Sequence, residues 1–344
     1  MRDVAEAAGV SITTTSDALN GRGRVEAGTR ARVLEAAERL GYRANVHARM
    51  LRRGRSGVLG IMSSLAADAS INLSGIEYFV DILSSAATTA LSRGYAVMLI
   101  PPSPDDAASA GNILVDGALL LDPVAGSSTA ARLEQSGIPT VSTGRLPGVP
   151  PESGTWVDND ILVEASAMLD LLWDRGARDI ALVVNPPIRS YAIDTVTAYE
   201  AWVAERGLAS RVVQTDELAS ESSAYVAAAP LFADPDGRPD AIFAPLDRLA
   251  VGAMLAARSA GLSVPADVLV ASGVDSQTTR LATPPVTAVE LHARDIGHRA
   301  LELLIDRVEN RQEGHRQVII PATLHERAST RRPGTRRRRT RRTA

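Results

Sequence analysis

The sequence contains no cysteine and no lysine. The first absence excludes a disulfide framework, a thiolate metal site and a cysteine nucleophile together. The second makes all 37 basic residues arginine, which reads as a compositional bias of the source and not as chemistry. Aromatic residues make up 3% of the chain, so little ring surface is available to stack on a ligand. No apolar run reaches the roughly 18 residues of a membrane-spanning helix. The opening MRDVAEAAG is charged where a secretion signal would be apolar. A cytoplasmic location with no membrane partner is therefore expected. No dinucleotide fingerprint, phosphate loop or nucleophile elbow occurs. The five histidines, at 47, 292, 298, 315 and 325, lack metal-ligand spacing. Neither an enzyme nor a cofactor is expected.

What is present is a chain of 344 residues, 45% hydrophobic, enough for two or three domains with a sizeable core. Its net charge of −3 conceals a segregation. Residues 1–55 hold 11 Arg against 6 acids, and residues 327–344 hold 9 Arg and no acid. The intervening 56–326 hold 17 Arg against 34 acids. A polyanion attracts such ends and repels such a body.

Residues 1–42 read as three short helices. DVAEAAG ends at Gly9, a residue suited to the left-handed position that closes a helix. Ser11 then stands as an N-cap before ITTTSDALN, and the short break between the two is helix-turn-helix spacing. After the polar loop GRGRV comes RARVLEAAERLGY, with Val33, Ala37 and Leu40 at i, i+4 and i+7. Val4, Ala8, Ala18 and Leu19 can close a small core on that face. The first helix would start at Met1 with no Ser or Thr before it, so a few residues more are expected upstream. Residues 45–53, NVHARMLRR, form a basic helix candidate capped by Asn45, too short to be stable alone, followed by the linker GRSG.

From Val58 onward, short apolar strands alternate with helices. VLGIMS, YAVMLI, GALLLD and IPTVST form one set of strands; DIALVV, RVVQ, DAIFAP and DVLVASG form another. Helices are expected near 75–93, 128–137, 160–175, 193–206, 248–260 and 294–309. Alternation predicts an α/β fold of doubly wound parallel sheets in two similar lobes. PPVTAVEL and the helix after it are expected to return to the first lobe, and IIPATLHE to form a last strand. Residues 328–344 read as a disordered Arg-rich tail.

DVAEAAGVSITTTSDALNGRGRV, continuing through TRARVLEAAERLGYRANVHARMLRRGRSGVLGI, resembles the head and hinge of the lactose-repressor (LacI/GalR) family. The likeness extends through DRLAVGAMLAARSAGLSVPADV, GVDS and TPPVTAVELHARDIG, and so covers all but the tail. It implies a helix-turn-helix domain at 1–44, a hinge helix and linker at 45–56, and a two-lobed periplasmic-binding-protein-like core at 57–327. It implies a homodimer on pseudo-palindromic operator DNA, regulated, in the sense of repression, by a small-molecule effector such as a sugar between the lobes. Ile12, Thr13 and Asp17 fall at base-reading positions: Ile12 could pack on a thymine methyl and Asp17 accept from a cytosine amino group. Ser11, Thr14, Ser16, Asn20, Arg22 and Arg24 are placed to help dock the helix and touch phosphates. In the hinge, Leu51 matches a minor-groove wedge, with Asn45, Arg49, Arg52 and Arg53 around it.

The core departs from the pattern. Asp275 matches an acid that holds effector hydroxyls, and Asp247 is retained, but Leu246 replaces an Asn and Thr195 replaces an Arg. The head departs too, since Asp17 stands where the family has Arg. Tyr191 and Arg189 in PPIRSY, and Asp158 and Asn159 in WVDND, could reach the same cleft. Two alternatives stay open: a ligand-independent DNA-binding regulator, and a stand-alone solute-binding protein. Leu51→Ala is expected to weaken specific DNA binding far more than non-specific binding; competition gel-shift titrations measure both, and an equal loss in the two contradicts a wedge.

Overall fold

A computed structural model describes residues 1–20, 23, 25–42, 55–63, 77–100, 114–217, 219–311 and 314–332. The chain divides into two compact units, Met1–Gly57 and Val58–Ala344. The candidate hinge residues Asn45, Arg49, Leu51, Arg52 and Arg53, together with Arg22 and Arg24, lie outside the described residues.

The first unit holds α1 (Arg2–Ala8), α2 (Ile12–Asn20) and α3 (Ala27–Arg39). Gly9 closes α1 at φ 65°, a conformation that a side chain would strain. Ser11 caps α2, its Oγ accepting from Thr14 N at 3.0 Å. Val4, Ala8, Ala18, Val33, Ala36 and Ala37 form the core, with Leu19 packed at its margin. Leu40, expected in that core, is 48% exposed. It follows the last helical residue, where the i+7 projection from Val33 no longer points inward.

The second unit contains two six-stranded sheets among the described residues. The strands are β1 (Val58–Ser63), β2 (Ala96–Ile100), β3 (Gly117–Leu121), β4 (Thr140–Thr143), β5 (Trp156–Asp158), β6 (Ile180–Val184), β7 (Val212–Gln214), β8 (Ala241–Ala244), β9 (Leu269–Ser272), β10 (Thr287–Glu290), β11 (Gln317–Ile319) and β12 (Thr323–His325). The first sheet runs β11-β5-β4-β3-β1-β2 and the second β12-β10-β9-β8-β6-β7. Only β12, antiparallel to β10, breaks the parallel arrangement of the described strands. GALLL in β3 and IALVV in β6 are buried at every residue, as strands covered on both faces must be.

Each sheet is covered by helices. In the second lobe, Met168, Leu169, Leu172, Tyr199 and Trp202 pack one face. Phe232, Leu249, Ala253 and Met254 pack the other. In the first lobe, helix 129–135 lays Ala130 and Leu133 on Ala118 and Leu120. Helices Glu77–Ser92 and Ala293–Val308 pack closely together. Gly297 permits that approach, since a Cβ there would fall 2.4 Å from the Ile82 carbonyl oxygen.

The chain crosses between the lobes three times, and two expectations fail at these crossings. PPVTAVEL does not return to the first lobe: its β10 remains in the second sheet, and the return begins with helix 293–308. IIPATLHE is not one strand. It splits around Pro321 into β11 in the first sheet and β12 in the second. The segment WVD, not expected as a strand, is β5 and provides the neighbour of β11. The tail also starts later than expected. Ser329 and Thr330 are fully buried, Ser329 Oγ donating to the Val270 carbonyl at 2.6 Å and accepting from Thr287 N at 2.8 Å. Residues 333–344 lie outside the described residues.

Gly297→Ala is expected to force the two first-lobe helices apart and destabilise the core by about 1–3 kcal/mol. Urea denaturation of the full chain measures it, and an unchanged midpoint would show that the helices have room to spare.

Candidate functional site: a recognition helix and an acidic cleft

In the head, α2 presents Ser11, Ile12 and Thr13 outward. Ile12 is 48% exposed, while Thr15 behind it is fully buried and its Oγ1 donates to the Ser11 carbonyl at 3.0 Å. Thr14 Oγ1 shares a hydrogen bond with Ser11 Oγ at 2.8 Å, so both hydroxyls organise the cap. Ser16 is half-buried, as is Asp17. Asp17 does not stand free like Ile12: a Cβ on Gly23 would meet Asp17 Oδ2 at 3.2 Å, so the carboxylate folds toward the loop that follows α2. The backbone of Asn20 ends the helix.

Within the second unit, a cavity of about 940 Å³ lies between the lobes. It opens at the carboxyl ends of the parallel strands, where doubly wound sheets bind ligands. Asp122 follows β3 and Asp158 ends β5 on the first-lobe wall. Arg189, Tyr191 and Thr195 come from the start of helix 190–205, and Leu246 and Asp247 from the start of helix 247–259. Five of the six expected effector residues therefore meet here: Asp247, Thr195, Tyr191, Arg189 and Asp158. Their bonds are partly spent. Thr195 Oγ1 donates to the Tyr191 carbonyl at 2.8 Å, Tyr191 Oη accepts from Asn185 Nδ2 at 3.0 Å, and Asp247 accepts from Ser276 Oγ at 2.6 Å.

Asp275, the sixth, is not on the cavity wall. Both its oxygens take the guanidinium of Arg327, at 2.7 and 2.9 Å. Thr279 Oγ1 donates to it at 2.8 Å and Arg280 Nη1 at 3.2 Å. Burial would raise its pKa, but these hydrogen bonds and the Arg327 charge outweigh burial and hold it below the usual carboxylate range. Asp275 is a tether for the C-terminal segment, and its neighbour Ser276 is the residue that faces the cavity.

Sequence reasoning missed Asp122 and Tyr78 of the first lobe and Glu221 and Arg248 of the second, which also line the cavity. Asp122 was legible as the polar residue ending GALLLD, the point at which a parallel strand opens on a cleft. It has φ 43°, a left-handed conformation that Asp tolerates better than most side chains but that still costs energy. Burial pushes its pKa up to about 6, against the opposing pull of Arg189 and a Thr143 hydrogen bond. Burial and then the Asp122 charge push Asp158 up to about 7, against backbone N–H donors of Asn159 and Arg145.

Asn159 has a different role. Its Nδ2 donates to the carbonyls of Leu291 at 3.1 Å and Ile320 at 2.7 Å. Those residues lie on the other two crossings, so one amide ties all three together. Around the cleft the lobes are clasped. Ala125 N donates to the Ile188 carbonyl at 2.6 Å, and Arg145 pairs with Asp194. Glu77 accepts from Gln277 N and from Arg280 Nη2, both at 2.6 Å.

Comparison with known proteins gives the arrangement its place. Residues 1–45 match the model for bacterial regulatory proteins of the lacI family, and residues 169–330 match a periplasmic binding protein-like domain. The chain carries a LacI-family helix-turn-helix domain and a periplasmic-binding-protein-like domain. It is 27% identical to the HTH-type transcriptional regulator CelR of Thermobifida fusca, over 95% of this chain and 96% of that one. It is 25% identical to the ribose operon repressor of Escherichia coli, over 96% and 99%. Among solved structures, a CelR–cellobiose complex aligns with TM-score 0.73 at 26% identity, covering 95% of this chain and 98% of that one. A lac repressor dimer bound to operator and the anti-inducer ONPF aligns with TM-score 0.76 at 23% identity, covering 95% and 98%, and shares the fold. The chain is a helix-turn-helix DNA-binding transcription regulator controlled by an effector. Its relatives are regulators, and no catalytic family is indicated. No helix of the described residues is long and apolar enough to cross a membrane.

The raised carboxyls give a pH prediction. Unfolded, Asp122 ionises near 3.8; folded, it resists ionisation until about 6. Its contribution is therefore destabilising above that interval and absent below it. Asp122→Asn is expected to raise stability at pH 7.5 by on the order of 1 kcal/mol or more, or about 2–4 °C in Tm, with the gain vanishing near pH 4. Thermal melts across this range measure it, and a variant no more stable than wild type at pH 7.5 overturns it.

Proposed function

We propose that this regulator acts in the cytoplasm as a homodimeric repressor whose paired heads read a two-fold operator, released or engaged by a polyhydroxylated effector held between the core lobes. Domain limits of 1–44 for the head, 45–56 for the hinge, and 57 to about 332 for the core suit this reading. The observation that carries it is the presence, in one chain, of an outward Ile12–Thr13 edge on a capped helix and a carboxylate-lined cavity in the core. Ile12 suits a thymine methyl and Thr13 a base edge. Ser11, Thr14 and Ser16 suit phosphate contacts, with Arg22 and Arg24 in the following loop. Asp17, turned toward Gly23, suits positioning of that loop better than base contact. Asn20 and the hinge residues Asn45, Arg49, Leu51 and Arg52 complete the interface on the family pattern.

For the effector, the cavity provides carboxylates that accept hydroxyl hydrogens, as in Asp158 and Asp247, with Tyr191, Thr195 and Arg189 beside them. The relative solved with cellobiose supports a sugar-like occupant. An occupant touching both walls acts on lobe closure, because it binds one arrangement better than the other. No catalytic step is assigned.

Selection of bound genomic fragments by the purified full-length chain in moderate salt tests the reading. A pseudo-palindromic consensus is expected, and Thr13→Ala should relax preference at one base pair of each half-site by about 1–3 kcal/mol. No preference for any duplex over random fragments overturns it. Thermal shift with a panel of sugars and related polyols tests the sensing core, since a bound ligand stabilises it by mass action.

A further inference from the structure

The chemical character of the effector can be taken further, and this step rests on the reading of the core as a sensor. The cavity wall at the ends of β3 and β5 is made of acceptors. A Cβ on Gly144 would stand 3.5 Å from Asp122 Oδ1, 3.8 Å from Asp158 Oδ2 and 3.0 Å from Ser190 Oγ, so both carboxylates lie close to the same glycine. Asp158 takes two backbone N–H donors, and the charges acting on it are two further carboxylates, Asp122 and Asp194. Arg189 acts on Asp122, and Arg248 also lines the cavity.

Next to them stands Asn159, 4% exposed and on the same wall. Its Nδ2 is spent on Leu291 and Ile320. Its Oδ1 is buried with no partner among the described residues. A buried acceptor left unsatisfied costs about 1–3 kcal/mol, so it marks a place where a donor belongs.

A sugar hydroxyl brings one donor and remains neutral. An ammonium brings three donors, no acceptor and the charge that two buried carboxylates lack. Among the described residues, no group of three His, Asp or Glu that could hold a metal ion occurs. We propose that the effector is an amine-bearing polyhydroxylated compound of the amino-sugar class, its ammonium seated on Asp122, Asp158 and Asn159 Oδ1.

Isothermal titration of the full-length chain with cellobiose, and with the matching β-1,4-linked disaccharide of glucosamine, tests this at pH 7. Tighter binding of the amino disaccharide by about tenfold or more is expected, as for a charge-assisted contact. Asp158→Asn should bring the two affinities together by lowering that of the amino sugar more than that of cellobiose. Asp122→Asn reads the same ratio if the first variant fails to fold. Equal or tighter binding of cellobiose by the wild type overturns the inference and leaves the sensor reading intact. A preference for the amino sugar that both variants retain also overturns it. No heat and no thermal shift from either compound, or from the wider panel of polyols, overturns both.

Discussion

One amide holds the core to its geometry. Asn159 sits where the first crossing leaves β5, and it donates to backbone carbonyls on the second and third crossings. Three strands of chain that would otherwise be separate linkers are thereby fixed at a single point. Each lobe has its own sheet and its own helices beyond that point. The bonds are part-buried, and a backbone carbonyl shielded from water and deprived of its donor is costly.

The cleft beyond this joint combines clasps and unmet demands. Arg145 with Asp194, Glu77 with Arg280, and the Ala125–Ile188 backbone bond hold the rims together. Inside, Asp122 and Asp158 remain under-compensated, as their raised pKa values express. Such groups are kept only where the fold over-determines them or a ligand repays them. The clasps bridge the lobes and the carboxylates line the space between, so closure and occupancy act on the same contacts. A ligand that satisfies the wall favours the closed arrangement by its differential affinity, which is the thermodynamic condition for control.

Periodicity carried the element assignments far. GALLLD, DIALVV and DAIFAP announce strands buried on both faces, and the helices near 75–93 and 294–309 were placed to within a few residues at the described ends. WVD was missed because three residues provide no alternation to read. IIPATLHE was read as one strand because both halves carry strand composition, whereas Pro321 and partner choice divide it. Leu40 fell outside the core because the helix ends just before it.

Among site residues, Asp158, Arg189, Tyr191, Thr195 and Asp247 reach a common cavity as their motifs suggested, while Asp275 does not. Its motif was visible; its capture by Arg327, 52 residues later, was not. Asp122 was passed over because one acid at a strand end looks like any other. The amino-acid sequence by itself determined the class of elements, the two-lobed count and the helix-turn-helix head, because these follow from local spacing and cap chemistry. Only the tertiary structure decided which carboxylate is neutralised and which faces the cavity, because charge compensation depends on partners brought together from distant parts of the chain.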